Sequence, residues 1–208
     1  KPKIPKQHEE LDIAKLIEVN EERFISRGIV LNWNVIELPE NKISFDQVHF
    51  QDVDFNRVRF DQVEFIDCKF ERCDLSNVDF GQSIFHRVEF QQSKLVGVQC
   101  TQSRFGHVWM DSCVANYAAF SFSKMKQVKF QHTAFNKADF FECLFDKVEF
   151  NECELDASNF TETSLDKIDL SSCTYEQITV SVEKLSGCTV STEQAMGFAK
   201  SLGLLIKE

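Results

Sequence analysis

The sequence has little of what most catalytic, metal and cofactor sites require. It contains only 7 Gly, and these never cluster, so no glycine-rich loop is available to cradle a phosphate group. Its 8 Cys include no CxxC pair, which argues against a zinc ribbon, and its 5 His never occur at metal-ligand spacing. We therefore expect no catalytic residues, no bound metal and no cofactor.

Aromatic residues other than Phe are also scarce. Tyr and Trp occur 2 times each, whereas 21 of the 208 residues are Phe, a side chain that fills a dry interior without needing a hydrogen-bond partner. No run of about 20 apolar residues is present, so no membrane span is expected. No signal peptide is visible at the start of this sequence, and we expect a cytoplasmic protein.

The Phe residues follow a strict period of five. From Phe45 to Tyr175 every fifth residue belongs to one lattice of 27 positions, which hold 17 Phe, 5 Leu, 2 Met and one each of Tyr, Cys and Ala. A small or β-branched residue stands two positions before each of them, and most residues between are polar or charged. No insertion or deletion interrupts the pattern, so every repeat must adopt the same local structure.

A period of five excludes a long helix, which repeats its faces every 3.6 residues, and a simple strand, which alternates. It fits a chain that turns a corner once per repeat, and self-similarity at a fixed period is typical of repeat solenoids. Four corners make a square coil of 20 residues, so residue n should stack on residue n+20 at the strand spacing of about 4.8 Å. A core filled by Phe leaves no enclosed polar pocket, which argues against an enzyme.

The same columns account for the cysteines. Cys100 takes a large lattice site, and the other seven fall on the small inward position: Cys68, Cys73, Cys113, Cys143, Cys153, Cys173 and Cys188. We expect all eight to be small buried residues. Cys153 and Cys173 stand one coil apart, a separation that would permit a disulfide, but inward thiols of cytosolic proteins usually stay reduced.

Several segments match a known repeat. The segments Cys73-Asp74-Leu75-Ser76-Asn77 and Ala138-Asp139-Phe140 follow the loose pattern A(D/N)LXX around a central Leu or Phe. The chain thus resembles the pentapeptide-repeat family over about two-thirds of its length. This resemblance implies an all-β fold, a right-handed quadrilateral parallel β-helix, here over residues 43–190.

Both ends of the lattice should carry caps, because a bare stack would expose unpaired backbone. Residues 1–42 are predicted to form an irregular N-terminal cap in which Pro2 and Pro5 suggest an extended lead. Within it, residues 11–19 have the apolar spacing of a short helix. Residues 24–38 are apolar and irregular, as in a distorted first coil, so a helical cap and a degenerate coil both remain open.

Residues 191–208 are predicted to form a short helix and then an apolar strand. Ser191 and Gln194 have capping-box spacing, and Gly203 can end the helix. The segment is similar to the C-terminus of Qnr-type quinolone-resistance proteins, a branch of this family in which it forms a two-fold dimer. A cap on the last coil and a homodimer contact are compatible interpretations. The dimerisation residues implied are Ala195, Phe198, Ala199, Leu202, Leu204, Leu205 and Ile206.

Charge varies strongly along the lattice. The net charge of the chain is −10, which disfavours direct nucleic-acid binding and favours a basic partner. Residues 43–79 carry a net charge of −5, residues 80–138 carry +5 and residues 139–175 carry −8. The last segment is predicted to provide an acidic partner-binding surface made of Asp139, Glu142, Asp146, Glu149, Glu152, Glu154 and Asp156.

The lattice is weakest between residues 100 and 125. All four of its sites that hold no Phe, Leu or Tyr lie there: Cys100, Met110, Ala115 and Met125. Outward positions of the same stretch carry apolar side chains, and the candidates for a partner-binding patch are Trp109, Val114, Tyr117 and Phe122. Alternatively, these side chains fold back over the gaps in the core.

Two functional hypotheses follow. The Qnr-type resemblance implies a non-enzymatic DNA mimic that binds DNA gyrase and topoisomerase IV, and that protects them from fluoroquinolones or inhibits them. Its carboxylates would stand where DNA presents phosphates to a basic surface. The alternative is a generic cytosolic protein-interaction scaffold that uses the central apolar patch.

Overall fold

A computed structural model describes residues 2–4, 9–11, 24–31, 43–56, 60 and 62–207. These residues form a parallel β-solenoid of about 7 turns, in which strands pair with a register of 20 residues. The all-β solenoid predicted from the five-residue period is therefore confirmed. The strands are β1 (Phe24–Leu31), β2 (Ser44–Gln51), β3 (Glu64–Ile66), β4 (Lys69–Glu71), β5 (Ile84–His86), β6 (Glu89–Gln91), β7 (Arg104–Gly106), β8 (Trp109–Asp111), β9 (Lys124–Gln131), β10 (Leu144–Asn151), β11 (Asn159–Phe160) and β12 (Thr179–Val180).

The constant register keeps four faces aligned along the rod. The first face carries β3, β5 and β7, and the second carries β4, β6 and β8. The longer strands β1, β2, β9 and β10 run around the corner between these faces and join them into one sheet. The third and fourth faces are connected by isolated bridges such as Asp74 to Lys94 and Gln99 to Ala119. A residue's position within its coil therefore decides which face it occupies.

The corners use a left-handed backbone conformation. Among the described residues, 24 non-glycine residues have a positive φ, between 46° and 63°, and each stands two positions after a lattice site. Gly97 and Gly187 occupy the same position. None of the 24 is β-branched, as expected for a conformation that is costly for branched side chains. The chain thus turns at the same point of each repeat from Gln62 to Lys167, which makes these coils square.

Stacked Phe rings fill the interior. Rings one coil apart lie face to face, as in Phe85 and Phe105, whose centroids are 4.8 Å apart at an interplanar angle of 3°. Rings of the same coil meet edge-on, as in Phe65 and Phe70 at 5.1 Å and 77°. The four lattice sites of the weak stretch are buried as well, each at most 2% exposed. The core therefore continues through the middle of the rod without exposing these sites.

The cysteines line this core as free thiols. Seven of them are buried, but Cys188 is only partly buried, because the lattice loosens in the last coil. Several thiols donate to the backbone of the coil below, as Cys143 does to the carbonyl oxygen of Phe120 at 3.0 Å. The prediction of eight buried cysteines thus holds for all except Cys188.

Of the two N-terminal interpretations left open by the sequence, residues 24–31 follow the degenerate first coil. Residues 24–31 form β1, which pairs with β2 in the same register of 20, and its Ile25 and Val30 occupy buried lattice sites. The edge of β1 is covered in turn by residues 9–11, since Leu11 N donates to the carbonyl oxygen of Ile29 and Ile29 N donates to that of Glu9. Residues 24–31 are therefore part of the stack. The helix predicted over residues 11–19 lies outside the described residues, apart from Leu11.

The C-terminal helix α1 (Thr192–Ser201) begins with the predicted capping box. Gln194 N donates to the Ser191 hydroxyl, and Ser191 N donates to the Gln194 side chain at 2.8 Å. Gly203, with a φ of +82°, follows its end. The strand predicted for residues 204–206 is absent. No helix among the described residues is long and apolar enough to span a bilayer.

Candidate interaction surfaces

The seven predicted acidic residues form a ring around the rod. They lie within a single coil, and the register distributes them over all four faces, from Asp139 on the fourth face to Glu154 on the third. Most are exposed, with side-chain exposures of 63% for Glu149 and 70% for Glu152. The acidic surface predicted from the sequence is therefore not a stripe on one side of the rod.

The basic band, as we call residues 80–138 with their net charge of +5, neutralises part of this ring from one coil below. Lys126 Nζ lies 3.7 Å from a carboxylate oxygen of Asp146, and Lys129 Nζ lies 3.8 Å from one of Glu149. Asp139 is engaged as well, since it accepts hydrogen bonds from the Ser121 hydroxyl and the Asn159 amide. These contacts reduce the field of the ring on the first, second and fourth faces.

The carboxylates continue into the next coil. By the same register, four columns carry acidic residues one above the other: Glu142 and Glu162, Asp146 and Asp166, Glu149 and Asp169, Asp156 and Glu176. Residues 139–175 carry a net charge of −8 over about 9 Å of rod, or one net charge per about 1.1 Å at the usual strand spacing. Duplex DNA carries one charge per about 1.7 Å of axis. This end of the rod thus has at least the linear charge density of DNA.

The four apolar patch residues do not form one surface. Trp109 lies in β8 on the second face and is partly buried, whereas Val114 lies on the third face. Tyr117 occupies the next corner, where Lys137 Nζ lies 5.3 Å from the centroid of its ring. Phe122 occupies a different corner, between the fourth and first faces. The patch predicted from the sequence is therefore wrong as a single site, because neighbours in sequence turn onto different faces.

The alternative, in which the rings fold back over gaps in the core, is also not observed for the two corner residues. Tyr117 is 57% exposed and Phe122 is 44% exposed. The lattice sites beneath them are already filled, since Ala115 and Phe120 are completely buried. Phe122 instead contacts the outward ring of Phe141 at a centroid distance of 5.4 Å.

The C-terminal segment caps the last coil and leaves apolar side chains outside. Gln194 Nε2 donates to the carbonyl oxygens of Leu170 and Cys173, both at 2.9 Å, and Phe198 packs beside Tyr175. Ala199 is also partly buried, whereas Ala195 faces outward. The remaining predicted dimerisation residues have exposed side chains: Leu202, Leu204, Leu205 and Ile206, at 57%, 59%, 98% and 41%. The cap and a free apolar edge thus coexist.

The described residues contain no candidate metal cluster, and burial suppresses the reactivity of several thiols. No cluster of three His, Cys, Asp or Glu side chains among them could hold a metal ion. Burial raises the pKa of the Cys73 thiol to about 11 and that of Cys113 to about 12, so these thiols are protonated and unreactive at neutral pH. A cleft of about 460 Å³ between the last coil and α1 is lined mainly by hydroxyl and amide side chains.

Comparisons with known proteins agree with this architecture. The family model described as pentapeptide repeats (9 copies) matches residues 45–94, and the one described as pentapeptide repeat region matches residues 83–160. No curated protein shows significant sequence similarity to the chain.

Two solved structures illustrate the likeness in fold. A trypsin-treated variant of QnrB1, a plasmid-mediated fluoroquinolone resistance protein, is 18% identical, with a TM-score of 0.50, over 88% of this chain and 99% of its own. HetL, a pentapeptide repeat protein involved in heterocyst differentiation regulation in the cyanobacterium Nostoc, is 10% identical, with a TM-score of 0.43, over 88% and 95%. Pentapeptide-repeat proteins are generally non-enzymatic scaffolds. The five-residue period, the 20-residue register and the family matches across residues 45–160 together establish that this chain belongs to the pentapeptide-repeat family.

Proposed function

We propose that this protein is a non-enzymatic DNA mimic that binds DNA gyrase or topoisomerase IV, modulates or protects the enzyme, and so lowers fluoroquinolone susceptibility. The observation that carries the proposal is the charge density of residues 139–175, a net −8 in under two coils. A basic surface that accepts duplex DNA would meet a comparable field on this part of the rod. The fold shared with QnrB1, itself a plasmid-mediated fluoroquinolone resistance protein, supports the same proposal.

Ion pairs with the basic band leave only some of the carboxylates available to contact the topoisomerase. Asp146 and Glu149 are partly neutralised by Lys126 and Lys129, and Asp156 accepts backbone hydrogen bonds from the coil above. Glu142 and Glu154 are exposed and free of ion pairs with described residues. Binding would then rest mainly on the corner at Glu142, on Glu162 stacked above it, and on the third face at Glu154.

A supercoiling assay tests this proposal. We expect micromolar protein to inhibit supercoiling, or to restore it in the presence of ciprofloxacin, with gyrase from the organism that encodes the chain. Neutralising three exposed carboxylates (Glu142→Gln, Glu149→Gln and Glu154→Gln together) should raise the required protein concentration about tenfold, because close charge pairs couple by more than about 1.5 kcal/mol. The effect should also weaken steeply with added salt.

The control variant changes the net charge by the same amount as the triple Glu→Gln variant, but at another place on the rod. Substituting Gln62→Lys, Gln82→Lys and Gln102→Lys together also adds three positive charges, on the corner that carries Glu142 but two to four coils, or about 10–19 Å, below it. We expect much less change from this variant. No effect of the unmodified protein on supercoiling, with or without ciprofloxacin, would refute the proposal.

We further propose that the exposed C-terminal edge, Leu202 to Ile206, makes a two-fold dimer contact. Leu205 is 98% exposed, so Leu205→Glu should leave the fold intact and convert a dimer of 24.1 kDa chains into monomers. Light scattering coupled to size-exclusion chromatography measures the mass. Leu144→Glu is the matched control, since Leu144 is 61% exposed but lies on the rod wall. A monomeric mass for the unmodified protein would contradict the dimer.

A further inference from the structure

We propose that one corner of the central coils binds an extended acidic segment of a partner protein that also carries apolar side chains. This corner joins the fourth and first faces, and we call it the amide corner. Two columns of side chains form it: Gln62, Gln82, Gln102 and Phe122, and beside them Ile84, Arg104, Lys124 and Leu144. The inference is independent of gyrase binding, because it uses cations and amides in the coils below Glu142 on this corner, and therefore the opposite charge.

The first face is basic where it borders this corner. Over three consecutive coils, residues 82–87, 102–107 and 122–127 contain four cationic side chains and no acidic one: Arg87, Arg104, Lys124 and Lys126. Arg87 is neutralised by Asp67, and Lys126 faces Asp146 at 3.7 Å. Arg104 and Lys124 are exposed and form no ion pair with any residue that the structure describes. Two uncompensated cations therefore stand one above the other on a chain whose net charge is −10.

A groove runs along the corner beside these cations. It has a volume of about 340 Å³ and is lined by Gln62, Gln82, Ile84, Gln102 and Arg104. Each Gln amide has both donors and an acceptor, which are the groups that an unpaired peptide backbone requires. A ladder of amides beside cations therefore suits an extended peptide with carboxylate side chains.

Backbone hydrogen bonds between coils hold the residues of the amide corner at a fixed spacing. Gln82 N donates to the carbonyl oxygen of Thr101, Gln102 N to that of Ser121 and Phe122 N to that of Phe141, each at 2.9 Å. From Gln62 to Leu144 the corner crosses four coil steps, or about 19 Å, which is the length of about six residues of extended chain. The side chains are thus presented by a rigid support, which lowers the entropy cost of binding.

An apolar cluster ends the groove at its acidic side. Phe122 and Leu144 are 44% and 61% exposed, and the ring of Phe141 meets that of Phe122 edge-on at 83°. The core sites below, Phe120 and Phe140, are filled, so the cluster has no place inside the rod. Exposed aromatic side chains beside cations typify sites that anchor a partner through one or two apolar side chains.

Charge and length favour a short acidic protein segment over nucleic acid. The basic region spans only three coils, and net negative segments flank it, −5 in residues 43–79 and −8 in residues 139–175. A long polyanion that followed the rod axis would be repelled at both ends of the corner. A short acidic segment with an apolar side chain, confined to the three basic coils, would meet the cations, the amides and the cluster and stop short of Glu64 and Glu142 at the two ends of the corner.

Fluorescence anisotropy with defined probes tests the inference. The first probe is a short fluorescein-labelled peptide in which glutamate alternates with phenylalanine, and the second has lysine in place of glutamate. A labelled single-stranded oligonucleotide is the third. We expect saturable binding of the first probe alone, weakened by salt. Reversing two charges by Arg104→Glu and Lys124→Glu should weaken it about tenfold or more, as for other close charge pairs.

Two variants give the comparison its controls. Lys94→Glu with Lys137→Glu makes the same change in charge on the third face and at its corner, and should alter affinity less than about twofold. Phe122→Asn keeps a side chain that tolerates the left-handed backbone, so a loss of binding with an unchanged melting temperature would support the apolar contact. No saturable binding of the acidic peptide, an equal loss in the Lys94 and Lys137 variant, or a preference for the oligonucleotide would each overturn the inference.

Discussion

Replacing Phe140 by alanine should lower the free energy of unfolding by about 3–5 kcal/mol, the cost of deleting a buried aromatic ring. Phe140 is completely buried between two parallel rings, Phe120 at 5.0 Å and Phe160 at 4.9 Å. Removal would leave a cavity that cannot collapse, because the backbone ladders on all four faces fix the spacing of the coils. Urea denaturation monitored by circular dichroism measures the change as a shift of the midpoint.

The adjacent residue is the matched control. Phe141 carries the same side chain one position along the chain, but it points outward and contacts Phe122. Phe141→Ala should change the free energy of unfolding by about 1 kcal/mol or less, as for other surface substitutions. If the two variants lost similar stability, the ring stack would not be the main source of stability in these coils.

Replacing Asp67 by asparagine should cost about 3 kcal/mol, at the lower end of the range for breaking a buried ion pair. The Asp67 side chain is only 4% exposed and receives a bidentate contact from Arg87, with Nε at 2.7 Å from Oδ1 and Nη2 at 2.6 Å from Oδ2. It also accepts a hydrogen bond from the backbone N of Lys3 at 2.8 Å. The substitution would replace the carboxylate by a neutral amide, which would weaken the hydrogen bonds from Arg87 and from the backbone N of Lys3.

The chain contains an exposed copy of the same pair. Asp52 and Arg72 are also 20 positions apart and bidentate, with distances of 2.8 and 2.9 Å, but their side chains are 37% and 42% exposed. Both aspartates have a positive φ, which asparagine tolerates, so Asp52→Asn introduces no separate backbone strain. We expect a much smaller loss of stability from Asp52→Asn, because solvent screens the pair. Equal losses would contradict the importance of burial.

The pH dependence of the Asp67 effect has a definite sign. Burial alone would raise the pKa of the Asp67 carboxyl, but hydrogen bonds from Arg87 and Lys3 outweigh it and hold the pKa below its ordinary value. The stabilisation is therefore complete above the unfolded pKa of about 3.9 and is lost as the pH falls through the lowered folded pKa. The stability difference between the unmodified protein and Asp67→Asn should shrink below about pH 4.

The corner backbone was not predictable from the apolar pattern. The lattice identifies which two residues of five point inward, but the left-handed residue stands on a polar position whose occupants vary from Gln62 to Tyr117. A weak signal exists in what is missing, since no β-branched side chain occurs at the 24 non-glycine corners. The absence of β-branched residues can be recognised only after the structure has shown which position of each repeat forms the corner.

Side-chain pairing between coils also required the structure. Net charges of +5 and −8 in consecutive segments give no indication that Lys126 and Lys129 reach Asp146 and Glu149. The same holds for Trp109, Val114, Tyr117 and Phe122, which are close in the sequence but lie on different faces and corners. Conversely, Phe122 contacts the ring of Phe141 from the next coil, although the two residues stand 19 positions apart in the sequence.

The sequence by itself determined the solenoid, its 20-residue register, its Phe core and the capping box of α1, because each follows from a period or a spacing that local sterics and burial enforce. The tertiary structure alone decided which surface residues act together. The physical reason is that each repeat turns a corner, so outward residues five apart face different directions while residues 20 apart become neighbours. Core side chains therefore follow the period of five residues, whereas a surface that can bind a partner is formed by residues 20 positions apart.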